Sequence, residues 1–204
     1  HLVLMATLGR RTAELHRALT TPGGGTDFDP EPIGDDDLLA WRDRVRDDVI
    51  STFDRLAKTR DSLEREIRDE VDAALDRRGT LLARVDASTP AHTTAARTRY
   101  HGDYHLGQVL VAEDDVVIID FEGEPARSME ERRAKHCVLR DVAGMLRSFD
   151  YAAHAALDRA CADRPHDRPL VAPRTERWRQ LAPRAFLEAY HEHAEGSVSH
   201  PSRS

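Results

Sequence analysis

Between residues 35 and 78 the chain contains no glycine and no proline. Leu38, Val45, Val49, Phe53, Leu56, Leu63, Ile67, Val71 and Leu75 recur there at helical spacing, and charged side chains fill most of the positions between. A strand alternates with period two and cannot satisfy so long a pattern. The stretch predicts a long helical arm: one helix, or two stacked ones with a break near 59–62, with Gly79 as its close. Its charged face reads as solvated. The same periodicity predicts helices at 2–19, stopped by the run 20–25, and at 138–161 and 178–195. Residues 80–98 read as a short helix plus a loop around Pro90. Pro165 and Pro169 mark another loop, and 196–204 reads as a disordered tail.

One segment breaks the helical character. Val109-Leu110-Val111, then Glu113-Asp114-Asp115, then Val116-Val117-Ile118-Ile119 reads as a β-hairpin around an acidic turn. It is the only convincing strand signal. The expected fold class is mainly α with one small β-hairpin.

Composition narrows the function. The 204 residues are 40% apolar and 33% charged, with a formal net charge of −7. A nucleic-acid binder usually carries a basic excess, and there is neither a basic stripe nor a set of aromatics to stack on bases. No run approaches the roughly 18 to 20 apolar residues of a membrane helix, and the opening six residues are too short for a signal peptide. The chain reads as cytoplasmic, without nucleic-acid or membrane partners. Cys137 and Cys161 read as incidental reduced thiols.

The chemistry-bearing residues flank the hairpin. His101-Gly102-Asp103-Tyr104-His105-Leu106-Gly107-Gln108 packs an acid, two imidazoles, two glycines and an amide into one short segment, and Ile118-Ile119-Asp120-Phe121-Glu122-Gly123 follows. A hairpin would bring Asp103, Gln108 and Asp120 toward one small volume. Phosphoryl transfer from ATP needs such a set: a carboxylate to orient a hydroxyl, and hard oxygen ligands to hold Mg²⁺. Two other readings stand beside this one. His101, Asp103 and His105 alternate and could bind a transition metal from one face of a strand. The segment could also be a polar turn with incidental histidines.

His-Gly-Asp-x-His followed by a hairpin and Asp-Phe resembles the aminoglycoside-phosphotransferase-like kinases, whose fold is similar to that of protein kinases. More narrowly, segments 101–110, 119–125 and 139–152 look like the bacterial maltokinases, including forms fused to trehalose synthase, and 8–16 looks like the first helix of that family's C-terminal lobe. Gln108 and Glu122 separate the pattern from the general group, which usually has Asn at the Gln108 position. The resemblance implies a protein-kinase-like C-terminal lobe over 1–195, with its catalytic loop and metal segment at 100–124. It implies transfer of the ATP γ-phosphoryl group to the anomeric hydroxyl of maltose. ATP and Mg²⁺ would be the cofactors, and a trehalose synthase domain a possible partner. Asp103 would match the catalytic base, and Gln108 and Asp120 the Mg²⁺ ligands. Glu122 would approach metal or sugar, and His105 the sugar or the loop geometry. His101 and Asp141 would support the catalytic loop, Asp141 by accepting its backbone N–H groups. Trp178, Tyr190 and Tyr151 could face a sugar or pack in the core. Arg127, Arg132 and Arg133 could meet phosphate or form a solvated face.

A complete kinase of this kind also needs a strand-rich lobe with a phosphate-covering loop and an ATP-positioning lysine. Gly23-Gly24-Gly25 follows a helix rather than a strand, and neither Lys58 nor Lys135, the only two lysines, suits the role. The expectation is therefore a fragment with the N-terminal lobe absent. The alternatives are a non-catalytic interaction module and another small-molecule kinase of the group.

Overall fold

The computed structural model describes residues 2–200. The chain divides into two units, one formed by 1–32 with 94–204 and the other by 33–93. Both are described within those bounds.

The first unit is built on three helices: α1 (Leu2–Leu19), α6 (Leu139–Cys161) and α7 (Arg168–Ala194). Between α1 and α6 the unit carries strands β1 (Glu31–Pro32), β2 (Ala96–Arg97), β3 (Val109–Ala112) and β4 (Asp115–Ile118), then the short helix α5 (Met129–Arg133). Helix α1 buries Met5, Leu8, Thr12, Ala13 and His16 along one face, the stripe its spacing predicts. It meets α7 at backbone distance: a Cβ on Gly9 would lie 2.2 Å from the Phe186 carbonyl oxygen. Phe149, Phe186 and Tyr190 interlock in the core, with Phe149 edge-on to Phe186 at 5.6 Å and edge-on to Trp178 at 6.0 Å.

Helix α7 begins at Arg168, well before the expected start at 178. Pro169 falls in its first turn, where the missing N–H has no intrahelical partner to lose. Pro173 and Pro183 lie inside the helix.

The hairpin pairs Val109 with Ile118 through Ala112 with Asp115, and Glu113 turns it in the left-handed region at φ 56°. The strand ends at Ile118, but the Ile119 N–H still donates to the Gln108 carbonyl at 3.0 Å. A second antiparallel pair, β1 with β2, adds to the single hairpin expected. Two-residue strands are too short to leave an alternating pattern. Residues 196–200, read from sequence as disordered tail, carry defined contacts. The Ala96 N–H donates to the Val198 carbonyl at 2.7 Å, and Ser199 is buried. Residues 201–204 lie outside the described residues.

The second unit is helical: α2 (Asp35–Thr59), a 3₁₀ turn (Arg60–Ser62), α3 (Arg65–Leu75) and α4 (Arg78–Ser88). The break falls where Arg60 leaves the helix and clamps Asp72 through two hydrogen bonds of 2.5 Å. Gly79 does not close the arm, because it occupies the second position of α4. A glycine costs little in a first turn that is only half hydrogen-bonded. Arg78 to Asp54 (2.8 Å) and Arg46 to Asp86 (2.5 Å) tie α4 to α2. Among the described residues, no helix is long and apolar enough to cross a membrane.

Candidate active site

The loop 101–105 hangs from one buried carboxylate. Asp141, in the first turn of α6, is 2% exposed. It accepts the backbone N–H of His101 at 2.7 Å and of Gly102 at 3.0 Å. His16 of α1 donates Nε2–H to it at 3.2 Å, and the other ring nitrogen meets the Tyr190 hydroxyl of α7 at 2.9 Å. A buried carboxylate is tolerated only when such donors replace its water. Gly102 sits at φ +86°, a region open to glycine, and a Cβ there would stand 3.3 Å from Gly123 Cα. The two motif segments therefore touch at their glycines.

His101 joins the segments a second time. Its buried ring reaches the Ile119 carbonyl through Nε2 at 2.8 Å, and its Nδ1 faces the Asp103 N–H at 3.4 Å. A carbonyl only accepts, so Nε2 carries the proton and Nδ1 is left as the acceptor. Both nitrogens are thus committed to the backbone. That removes His101 as a metal ligand and with it the alternating His-Asp-His reading. Among the described residues, no group of three His, Cys, Asp or Glu side chains could hold a metal ion.

Tyr104 points into the core and hydrogen-bonds Thr12 at 2.8 Å. Thr12 spends its own proton on the Leu8 carbonyl, so Tyr104 is the donor. Burial pushes the Tyr104 hydroxyl far above the usual phenol range. His105 caps the 3₁₀ turn Leu106–Gln108 by accepting the Gly107 N–H at 3.0 Å, and its Nε2 stands 3.9 Å from the Asp103 carboxylate. Ser148 of α6 accepts the Leu106 N–H at 3.0 Å.

At the open end of the hairpin the Gln108 amide donates to the Asp120 carboxylate at 3.0 Å. Asp120 holds φ +64°, one of two non-glycine residues in the left-handed region among those described. Glu113, the other, is explained by its tight turn. Asp120 leads from the hairpin into the turn at 121–122, and strain of roughly 1–3 kcal/mol of this kind collects at functional sites. The pair fits Mg²⁺ by the chemistry of its donors: one carboxylate and one amide oxygen, side by side and exposed, suit an ion that keeps several waters. Glu122 is not drawn into the pair. Its carbonyl accepts from Arg132 at 3.3 Å, and among the described residues its exposed carboxylate has no partner.

Asp103 lines a cavity of about 610 Å³ between the loop and α6. Glu124, Arg127, Arg140, Arg147 and Tyr151 also line it. Of the three aromatics singled out from sequence, only Tyr151 reaches this space. Trp178 and Tyr190 pack in the core. The glycine run 23–25 does not wait for a phosphate: Gly23 and Gly24 donate to Asp29 at 2.8 and 3.0 Å. Lys135 is engaged by Glu31 and the Thr26 carbonyl, both at 2.5 Å.

Residues 3–124, which include both motif segments, match the phosphotransferase enzyme family, APH. The chain belongs to this phosphotransferase family. A glucosamine kinase of Streptacidiphilus jiangxiensis is 30% identical over 192 residues, which cover 93% of this chain and 38% of that protein. One from Mycolicibacterium smegmatis is 29% identical over 152 residues, covering 74% of this chain and 34% of that protein. A glucosamine kinase structure in complex with glucosamine, ADP and inorganic phosphate aligns with a TM-score of 0.66 at 27% identity, over 95% of this chain and 41% of its own. The chain thus spans about two fifths of the length of these phosphotransferases.

Several residues that support the loop were not singled out from the sequence. Thr12, His16 and Ser148 reach the loop from helices far away in sequence. They lie within segments 8–16 and 139–152, but no local pattern gives their pairing with the loop. Arg140 and Arg147 share the 139–152 segment with Asp141, at i−1 and i+6.

Proposed function

We propose that this chain is the C-terminal lobe of a Mg²⁺- and ATP-dependent sugar kinase. The observation that carries the reading is that one short segment holds both an amide–carboxylate pair, Gln108 with Asp120, and the Asp103 carboxylate that lines a polar cavity. The pair would serve a nucleotide and Asp103 an acceptor in the cavity. An acceptor hydroxyl in the cavity would give its proton to the Asp103 carboxylate as its oxygen bonds to the γ-phosphorus of ATP. The bond from that phosphorus to the bridging oxygen breaks, and ADP leaves with the electron pair. Mg²⁺, when bound, would neutralise charge on the phosphate oxygens, and Gln108 and Asp120 would hold it. Asp141 and His101 would fix the loop so that Asp103 need not reorganise during transfer.

The acceptor we propose is maltose, phosphorylated at its anomeric hydroxyl. Support comes from Gln108, Glu122 and segments 101–110, 119–125 and 139–152, which resemble maltokinases. A trehalose synthase partner follows from the same resemblance and stands with it. The glucosamine kinase relatives make glucosamine the competing acceptor. ATP consumption by the protein carrying this chain, assayed with maltose, glucose and glucosamine, tests the reading. Asp103→Asn is expected to lower turnover by about 10²-fold or more, the upper part of what a positioned base contributes. Full turnover in that variant would remove Asp103 from the chemistry.

A further inference from the structure

Two short ladders converge beside the run that leads into the loop 101–105. In one, Glu31 of β1 lies opposite Arg97 of β2. In the other, Thr98 and His136 exchange backbone hydrogen bonds of 3.0 and 2.9 Å. Thr98 is buried, so its neighbours Arg97 and Arg99 project together to the other side. Lys135 arrives next to His136, and Arg133 ends α5 two positions earlier. These four cations line a cavity of about 310 Å³ with two carboxylates, Asp27 and Glu31. With every charge counted in full, four positive against two negative, the lining carries an excess of two in a chain of formal net charge −7. It shares no residue with the Asp103 cavity.

Glu31 fixes two of the cations. It accepts from Lys135 at 2.5 Å and from Arg97 at 3.1 and 3.0 Å. Lys135 above all, and Arg97 with it, hold the Glu31 carboxyl below its ordinary 4.5. The Lys135 side chain is only 9% exposed and also donates to the Thr26 carbonyl. The other two cations keep donors to spare. Arg99 gives Nε–H to the Asp27 carbonyl at 3.0 Å and lies 5.2 Å from the centre of the Phe28 ring, and its two terminal nitrogens have no partner among the described residues. Arg133 makes no hydrogen bond or ion pair among them. Of the three arginines that the sequence offers to phosphate, Arg127 is paired with Glu124 at 2.6 Å and Arg132 reaches the Glu122 carbonyl at 3.3 Å. Arg133 alone is uncommitted.

We propose that this cavity is a binding site for a doubly charged phosphate group, carried by inorganic phosphate or by a small phosphate monoester such as a sugar phosphate. A guanidinium fork meets two phosphate oxygens at once, and Arg99 and Arg133 have such forks open. The excess of two matches a dianion. Arg97 and Lys135, already held by Glu31, add positive potential without having to reorganise. The volume lies at the small end of ligand pockets. The inference stands apart from the sugar kinase reading, because it concerns binding at a separate cavity and needs no turnover.

NMR titration of the 204-residue chain with inorganic phosphate, glucose 6-phosphate and glucose, with sodium chloride at matched ionic strength, tests the assignment. Phosphate and glucose 6-phosphate are expected to shift the amide signals of 97–99 and 133–135, and glucose and chloride to leave them in place. Tighter binding of glucose 6-phosphate would support a phosphorylated sugar as the ligand, and equal binding the phosphate group alone. Arg133→Gln is expected to weaken phosphate by about tenfold, and Asp27→Asn to tighten it severalfold. Both side chains are exposed and without a hydrogen bond among the described residues, and Asp27→Asn keeps the carbonyl that Arg99 uses. Both variants therefore keep the fold, which unchanged core resonances would verify. Shifts confined to the Asp103 cavity, an equal response to chloride, or an affinity that neither variant moves overturns the inference and leaves the sugar kinase reading standing.

Discussion

A single carboxylate sets the geometry of the loop. Asp141 replaces the water that two loop N–H groups and a buried histidine would otherwise need. Asp141→Asn turns one acceptor oxygen into a donor that faces donors. We expect it to cost about 3 kcal/mol of unfolding free energy, read as a drop in urea midpoint with unchanged slope. An unchanged midpoint would mean that the loop finds its support elsewhere. Part of this was legible in the sequence: Asp103, Gln108 and Asp120 could be named from their local pattern, and Asp141 from the family resemblance of its segment. The hairpin then explains why Gln108 and Asp120 meet. His16 and Tyr190 could not be named in this way, because their partnership spans 174 positions and no local pattern encodes it. Likewise, nothing in the sequence reveals that Asp120 adopts a left-handed backbone.

Helix α1 and the hairpin are coupled through Arg11. Arg11 of α1 donates through Nε to Asp115 of β4 at 2.9 Å and through a second nitrogen to the other carboxylate oxygen, and it also meets Glu14 at 2.6 Å. The Arg11 guanidinium, helped by the Val116 N–H, holds the Asp115 carboxyl well below its ordinary 3.8. The folded chain therefore binds this proton less readily than the unfolded chain. The pair stabilises the fold above pH 3.8, and its contribution fades as pH falls through that value toward the lower folded pKa. Asp115→Asn should lower the thermal midpoint at neutral pH and converge with wild type in acid. Parallel curves from pH 7 to pH 2 would show that the pair contributes nothing. Element types were read correctly wherever apolar residues recur every three to four positions, as in α1 and α6. Errors gathered at glycine and proline. Gly79 was read as a stop and Pro169 as a loop, yet both sit in first turns, where backbone N–H groups have no intrahelical partners and neither residue is penalised.

At the scale of the whole molecule, the unit that carries the loop is discontinuous. Its chain leaves after Pro32 and returns before Ala96, and Glu31 faces Arg97 as Pro32 faces Ala96 in an antiparallel pair. Exit and entry are therefore adjacent strands of one ribbon. Replacing residues 33–93 by an Asn-Gly turn is expected to leave the unfolding midpoint of the first unit unchanged, because the shortcut closes the same ribbon. Loss of cooperative unfolding in the shortened chain would show that the first unit depends on the second.

The junction of His16, Asp141 and Tyr190 also bears on how the protein is made. A ribosome releases α1 long before Tyr190, 174 positions after His16. Until then the apolar face of α1 has no α7 to cover it, and the loop at Asp103 has no finished support. Contacts so distant along the chain form slowly. Between the synthesis of α1 and that of α7 the nascent chain holds an uncovered apolar face in waiting, and the loop at Asp103 gains its full support only once Tyr190 has been made.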